Sequence, residues 1–495
     1  MKTPLFSHLA TVKQDVFAGV VVFLVALPLC LGVAQASGMP PLAGLLSGII
    51  GGLLITAISP SPLSVSGPAA GMIALVVTSI ATLGSISAML VALILAGALQ
   101  IAAGLFRLGR LAGLIPGTVI RGLLAGIGIL LIVQQIPVAF GYVPDRPAGS
   151  EISLHFFHDI TGGSVLIMAV SLVLLVLMEM PRFKQSRWSA LPAPLVVVLW
   201  GIVAQFLLST SEGWQLPLSQ RVQLPDWSWD EAWPLSAPDW SALSQPSLYQ
   251  IAFSLALLAS LETLLSLEAT SRIDPLKRAP HSDRELVAQG AGNMVSGLLG
   301  GLPLTAVIVR SSANVYAGAR TRFSAIFHGL LLALSALLLG PILNTIPFAS
   351  LSAILIFTGF KLASPSLFIR EWRQGKTLFI PFMVTVTGIV GIGLLQGIGL
   401  GVLCQLLISV MKAEKNTLTL TQHGSIHLLR IHQNITFISK PELCRLLDSI
   451  PNESTVYIEV ADGITLAPDL REAIQAFASQ AEQRKLTLFL PTMMQ

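Results

Sequence analysis

The chain has 495 residues, 53% of them apolar and only 11% charged, with a mean hydropathy of +0.77 and a formal net charge of +4. A soluble chain carries roughly twice that share of charge, so a soluble enzyme is excluded, and no basic-aromatic cluster marks a nucleic-acid binder. Three cysteines, Cys30, Cys404 and Cys444, lie far apart without a CxxC pair, which argues against a disulfide framework. No Walker A, nucleophile elbow, HExxH or Rossmann fingerprint is present, so the residues point to neither an enzyme nor an ATP-driven pump.

Apolar runs of about 20 residues, the length a membrane-crossing helix needs, recur from residue 15 to residue 411. After a short segment, 1–14, they predict fourteen spans, two of them short and broken: 15–37, 41–58, 66–83, 87–106, 115–137, 163–180, 189–209, 249–270, 285–299, 303–316, 323–340, 344–361, 377–391 and 393–411. The first starts after Lys13 and Asp15 and is followed by another span rather than a cleavage site, so it reads as a retained helix. Basic residues fall in every second loop: Lys13 before the first span, Arg107 after the fourth, Arg182 after the sixth, Arg278 after the eighth, Arg320 after the tenth, Arg373 after the twelfth and Lys412 after the last. The positive-inside rule then places both termini in the cytoplasm, in an inner-membrane protein of bacterial style.

Two stretches interrupt this pattern, SVSGPAAG at 64–71 and GGLPLTAVIVR at 300–310. Proline removes an intrahelical donor and stops a helix on its N-terminal side. Beyond each proline a new helix starts, with free N–H groups and the positive end of its dipole, and two such starts aimed at one point form an anion site. Pro303 lies 235 residues after Pro68, and seven spans separate the two breaks. An odd number inverts the second half, which is the arithmetic of an inverted repeat.

Glu262 lies among apolar residues of the eighth span, where a carboxylate faces a cavity or a partner; it reads as a cation-coupling group, as a structural partner of Arg310 or as a neutral carboxyl hydrogen-bonded in the core. An unbroken helix from Pro303 places Arg310 about 10 Å from the break, which favours long-range attraction over direct ligation of an anion. Ser64, Ser66 and Thr305 bracket the helix starts and are either hydroxyl donors to an oxyanion or caps. Gln134 and Gln135 mark either the path or the end of the fifth span. His155, His158 and Asp159 lack further metal ligands, and His423, His427 and His432 look like surface positions. Beyond Lys415 strands alternate with helices: 417–435, Pro441–Ile450, Val456–Val460, Pro468–Gln483 and Leu486–Leu490 predict a small α/β domain over 417–495.

With VALPLCLGVAQASG at 25–38, SVSGPAAG at 64–71, RELVAQGAGNMVSGLLGGLPLTAVIVRSSAN at 284–314 and the strand-helix tail, the chain resembles the SulP family of anion transporters over nearly its whole length. The resemblance implies an α-helical polytopic membrane protein with about fourteen transmembrane segments in two inverted seven-span repeats. These would form core and gate domains over 15–411, followed by a short cytoplasmic STAS-like domain at 417–495. It implies an anion site at Ser66, Gly67, Pro68, Ala69 and Ala70, at Leu304, Thr305 and Ala306, and at Arg310, with Pro28 and Leu29 of the first span nearby. Glu262, with Ser266 one turn on, is the implied coupling site, with Na⁺ or H⁺ as the ion and no other cofactor. Leu29 and Cys30 after Pro28 depart from sulfate-type members toward bicarbonate-type bacterial ones. The expectation is therefore secondary transport of a small inorganic anion, bicarbonate first, by an elevator-like motion in a homodimer joined through the tail. Alternatives are a sulfate or dicarboxylate transporter, an anion exchanger, a nucleobase permease, an uncoupled anion channel or a passive membrane scaffold.

Overall fold

The computed structural model describes residues 4–109, 116–142, 160–184, 192–210, 214–225, 235–278, 281–415, 418–431, 440–460, 468–479, 481 and 484–489. The chain opens with α1 (Pro4–Ala36) and α2 (Pro41–Ile50), which runs through a π-helical turn, Gly51–Ile55, into α3 (Thr56–Ile58). Strand β1 (Ser66–Pro68) and a 3₁₀ turn (Ala70–Met72) lead to α4 (Ile73–Leu83), α5 (Ile86–Leu105), α6 (Gly117–Ala139), α7 (Gly162–Glu179), α8 (Pro181–Lys184) and α9 (Ala193–Leu208). Then come α10 (Pro246–Ile273), α11 (Ser282–Leu299), β2 (Leu304–Ala306), α12 (Ile308–Tyr316) and α13 (Phe323–Leu338). The membrane part closes with α14 (Gly340–Leu343), α15 (Phe348–Leu362), α16 (Pro365–Arg373), α17 (Lys376–Gly391) and α18 (Leu394–Lys415).

Local chemistry sets many of these limits. Prolines stand in the first turn of α2, α9 and α10, where a missing N–H costs nothing. Gly84 and Gly300 close α4 and α11 in the left-handed conformation (φ 79° and 85°). Among the described residues seven helices are long and apolar enough to cross a membrane, and five shorter apolar helices accompany them. Large apolar side chains such as Phe206, Leu207, Leu403, Leu406 and Leu407 stand exposed on them. The protein is an α-helical, multi-pass membrane protein.

The helices pack in two groups. In one, α1, α2, α4, α5 and α10–α13 surround β1 and β2; in the other, α6, α7, α9, α15, α17 and α18 pack on one another. α1 reaches across to α9 and α15, and α4 to α6. Paired glycines let backbones touch at four crossings among the described residues, as membrane helices use small residues to do. They are Gly97 with Gly290 (α5 on α11), Gly52 with Gly329 (the π-turn on α13), Gly128 with Gly359 (α6 on α15) and Gly388 with Gly397 (α17 on α18); a Cβ on any of them would overlap the facing backbone.

The tail is a four-stranded mixed sheet of β3 (Leu418–His423), β4 (Ile426–Ile431), β5 (Thr455–Val460) and β6 (Thr487–Phe489) in that order, with α19 (Lys440–Asp448) and α20 (Pro468–Ser479). β3 and β4 form an antiparallel hairpin; β4, β5 and β6 run parallel. Leu429, Ile431, Val456 and Ile458 pack against Leu443, Leu447, Ile474 and Phe477 as a separate core. His427 shares that inward face of β4 and is buried, against the expectation of a surface position, whereas His423 is exposed.

The two breaks also differ from the expectation of helices starting directly at Pro68 and Pro303. Three residues at each break are extended instead, and α12 begins only at Ile308. Arg310 therefore lies in the first turn of its helix, not two turns in.

Candidate functional site

β1 and β2 pair antiparallel, Ser66 opposite Ala306, Gly67 opposite Thr305 and Pro68 opposite Leu304. The Val307 amide adds a bond to the Val65 carbonyl at 3.0 Å. All six strand residues are buried. Pairing thus gives partners to backbone groups that neither water nor lipid can satisfy. The two chains leave the ladder in opposite directions, one into the turn before α4 and the other into α12. Ala69 and Val307, the residues before these helix starts, are extended and provide no side-chain cap. First-turn N–H groups and the positive ends of two helix dipoles are thereby available to an anion.

Buried polar side chains hold the ladder in place. Asn293 of α11 acts as a third strand would: its Oδ1 accepts from the Leu304 amide (2.6 Å) and its Nδ2 donates to the Leu304 carbonyl (3.1 Å) and to Gln100 Oε1 (2.7 Å). One turn earlier, Gln289 Nε2 donates to Ser66 Oγ (2.6 Å) and to Glu285 Oε1 (3.0 Å). Thr263 Oγ1 of α10 accepts from the Ala306 amide (3.2 Å), and Ser311 Oγ of α12 from the Val65 amide (3.0 Å). Asn314 Nδ2 donates to the Leu63 carbonyl at 3.1 Å. These bonds satisfy the ladder's backbone groups and fix its geometry, while Gln289 Oε1 and Asn314 Oδ1 stay buried without a partner.

Two charged groups meet the ladder, each against a glycine of the first break. Arg310 is fully buried, and its Nη2 donates to the Pro68 carbonyl at 3.2 Å. Its Nη1 occupies the space a Cβ on Gly67 would take, and neither Nη1 nor Nε has a hydrogen-bond partner. Glu262, half-buried on α10, presses its Oε1 against Gly71, again where no Cβ fits. Its Oε2 accepts a long bond, 3.4 Å, from Thr305 Oγ1. Among the described residues no carboxylate forms an ion pair with Arg310, Glu262 included. A buried cation without a counter-charge is costly by several kcal/mol, and an anion entering beside it removes that cost.

The other predicted residues fall around this centre. Ala69 is buried and Ala70 half-buried at the start of the turn before α4. Pro28 lies inside α1, and Leu29 belongs to the same apolar core as Ala69 and Met72. Ser266 is buried one turn after Glu262, and Ser64 Oγ is buried without a partner. A crevice lined by Ser61, Ser64, Thr270, Asp274 and Arg278 lies beside the end of α10. There Asp274 accepts from Arg278 Nε (2.7 Å) and the Leu276 amide (2.9 Å). Burial pushes the Asp274 carboxyl up, but these bonds and the Arg278 charge together hold it below its ordinary value.

Gln135 is not brought to the breaks; it accepts from Ser352 (3.0 Å) in the second helix group. His155, His158, Asp159 and His432 lie outside the described residues. Sequence reasoning passed over Thr263, Gln289, Asn293 and His328. A signal existed for two of them: Glu285, Gln289 and Asn293 recur every four residues on one membrane helix, where polar groups are expensive.

Comparison with known proteins fits this geometry. A model of the sulfate permease family matches residues 12–385. "Putative sulfate transporter YvdB" of Bacillus subtilis is 28% identical over 369 residues, covering 72% of this chain and 66% of its own length. "Bicarbonate transporter BicA" of Picosynechococcus is 26% identical over 410 residues, covering 79% of this chain and 69% of its own length. The chain thus spans about two thirds of the length of these relatives. The murine Solute Carrier 26 family member A9 anion transporter, solved in the inward-facing state, shares the fold with a TM-score of 0.73 at 17% identity, over 97% of this chain and 85% of that one.

Proposed function

The chain belongs to the sulfate permease family, and on that premise we propose that it carries a small inorganic anion across a membrane by secondary transport. One observation carries the reading: Arg310, fully buried and without a counter-charge among the described residues, sits where two uncapped helix starts converge on a buried ladder. The anion is held by N–H groups at Ala70–Gly71 and Ile308–Val309 and attracted by Arg310. Ser66 and Thr305 offer hydroxyls, and Ala69 and Ala306 limit its size. One fixed positive charge and neutral dipoles match a monovalent ion better than a dianion, so bicarbonate comes first and sulfate second.

Glu262 and Ser266 form the coupling site in this reading, because a half-buried carboxylate one hydroxyl away from the anion strand can bind Na⁺ or H⁺ as the anion binds. The two helix groups serve as core and gate in an elevator-like cycle, with the ladder carried by the core. The architecture is read as two inverted seven-span repeats, both termini in the cytoplasm of the inner membrane. Two contacts support this: a two-fold relation maps the antiparallel β1–β2 pair onto itself, and it maps the Gly52–Gly329 crossing onto Gly290–Gly97. The tail at 417–495, with its own core, serves dimer assembly.

Purified protein in liposomes tests the reading. Labelled bicarbonate, sulfate, fumarate and chloride are offered with and without a Na⁺ or pH gradient. Gradient-driven accumulation of bicarbonate is expected. Accumulation of none of the four, or a current far above carrier turnover, overturns it.

A further inference from the structure

His328 is a further buried group with unmet hydrogen bonds close to the ladder. It lies on α13 with no exposed surface, and neither ring nitrogen has a partner. Its position is set by close contacts on either side. Ala325, one turn before it, packs on Val65 and Val22. Gly329, next to it, touches Gly52 of the π-turn, and the neighbouring Gly51 lies against the Ser66 carbonyl. Ser66 adjoins Gly67, on which Arg310 Nη1 rests. The backbone around His328 thus packs on the strand against which the guanidinium rests, with the imidazole within range of the Arg310 charge and the Cys30 thiol of α1 close enough to hydrogen-bond to Arg310.

Arg310 needs orientation without neutralisation. A carboxylate partner would hold the side chain but cancel the charge an anion requires. Its observed partner, the Pro68 carbonyl, is a neutral dipole, and a neutral imidazole also offers an uncharged acceptor nitrogen. We propose that His328 is a positioning residue of the anion site: through a buried water it accepts from a free Arg310 N–H and keeps the guanidinium on the β1–β2 ladder with its charge intact. Buried polar groups of this kind are regularly served by such waters. The proposal rests on the anion-site reading given above.

The test uses the full chain in liposomes, with initial uptake of radiolabelled bicarbonate and of radiolabelled sulfate measured against concentration for His328→Gln, His328→Leu, His328→Glu and Arg310→Gln. For the anion the wild type accumulates, His328→Gln keeps KM within about twofold, because an amide retains an uncharged acceptor. His328→Leu raises KM about tenfold with kcat little changed, the split expected when an interaction made on binding is removed. His328→Glu abolishes saturable uptake by neutralising Arg310. Wild-type KM in His328→Leu, or in His328→Glu should the leucine variant not fold, overturns the proposal. So does an equal loss of folded protein and kcat in the Gln and Leu variants at unchanged KM, which a merely structural histidine would give. If Arg310→Gln raises KM while His328→Leu does not, only the role of His328 fails. If Arg310→Gln binds normally, the anion site itself fails and this proposal with it.

Discussion

The two helix groups differ most in what they bury. Around the ladder, α10, α11 and α12 place Thr263, Gln289, Asn293, Ser311 and Asn314 in the interior, each bonded to backbone or side chains of the breaks. The second group joins its helices through Gln135 with Ser352 and Thr118 with Gln405, each at 3.0 Å, through Arg121 with fully buried Glu371 at 2.7 Å, and through the Lys361–Glu179 ion pair at its surface. Irregular backbone at membrane depth persists only where protein satisfies it, and the first group supplies that satisfaction. The second has continuous helices that satisfy their own backbone groups. The polar groups around the ladder thus follow from backbone irregularity, and Arg310, buried without a counter-charge among the described residues, lies in that group.

The largest expected effect breaks the irregular group directly. Ala306→Leu fills the space between the helix starts, and Gly67→Ala drives a methyl into Arg310 Nη1. Both are expected to cut anion uptake by at least about 100-fold, on the order expected when a group at a site is displaced by an ångström. Membrane yield should stay near wild type. Uptake at unchanged KM in either variant places the anion elsewhere.

Glu262→Gln comes next. It keeps the size and the Thr305 hydrogen bond but removes the charge, so gradient-driven accumulation should vanish while anion exchange and binding persist. Retained dependence on Na⁺ and on pH assigns Glu262 a structural role and removes coupling from the contrast between groups.

A double-mutant cycle in the second group sharpens the comparison from the other side. Arg121→Met leaves the buried Glu371 carboxylate with only the longer contact to Arg370 Nε (3.7 Å) and should cost about 1–3 kcal/mol, reduced from the fully buried range because Arg121 is about one third exposed. Arg121→Met with Glu371→Leu should recover most of this in a thermal melt, with KM unchanged in both single variants and in the double. A raised KM in the recovered double variant would bring this pair into the anion path.

The smallest effect concerns the end of α10. The Asp274 carboxyl is held below its ordinary value in the folded protein. Its contribution to stability is therefore complete above the unfolded value of about 4 and is lost as pH falls through the lower folded value. Asp274→Asn should lower the melting temperature slightly at pH 7 and make no difference at the acid end of the titration. An equal deficit at both ends would mean that packing, not charge, matters there.

Legibility followed the locality of each signal. Span positions such as 41–58 and 163–180 were readable because a membrane helix meets its hydrogen bonds within its own segment, so hydropathy and flanking charge suffice to find it. The tail elements were readable from alternation, and His427 was misjudged because its polarity outweighed its place on the inward side of β4. Glu262 and Arg310 stood out as charges in apolar surroundings, and Gly67 and Gly71 as punctuation. Their separate seats against the two glycines were not readable, because nothing near either residue in the chain records which backbone it will touch.

By itself the sequence determined a multi-pass helical membrane protein, the places where two of its spans break, the charges at those breaks and a strand-helix tail. Tertiary structure alone decided that the breaks are strands rather than immediate helix starts. The partners of Ser66–Pro68 lie about 240 residues away, and an extended segment is stable in an apolar interior only when that partner arrives. The same encounter decided that Asn293 and Gln289 serve the ladder, that His328 is buried, and that Arg310 meets a carbonyl rather than a carboxylate. Each of these depends on which surfaces meet once the helices are packed, and no local pattern of residues carries that information.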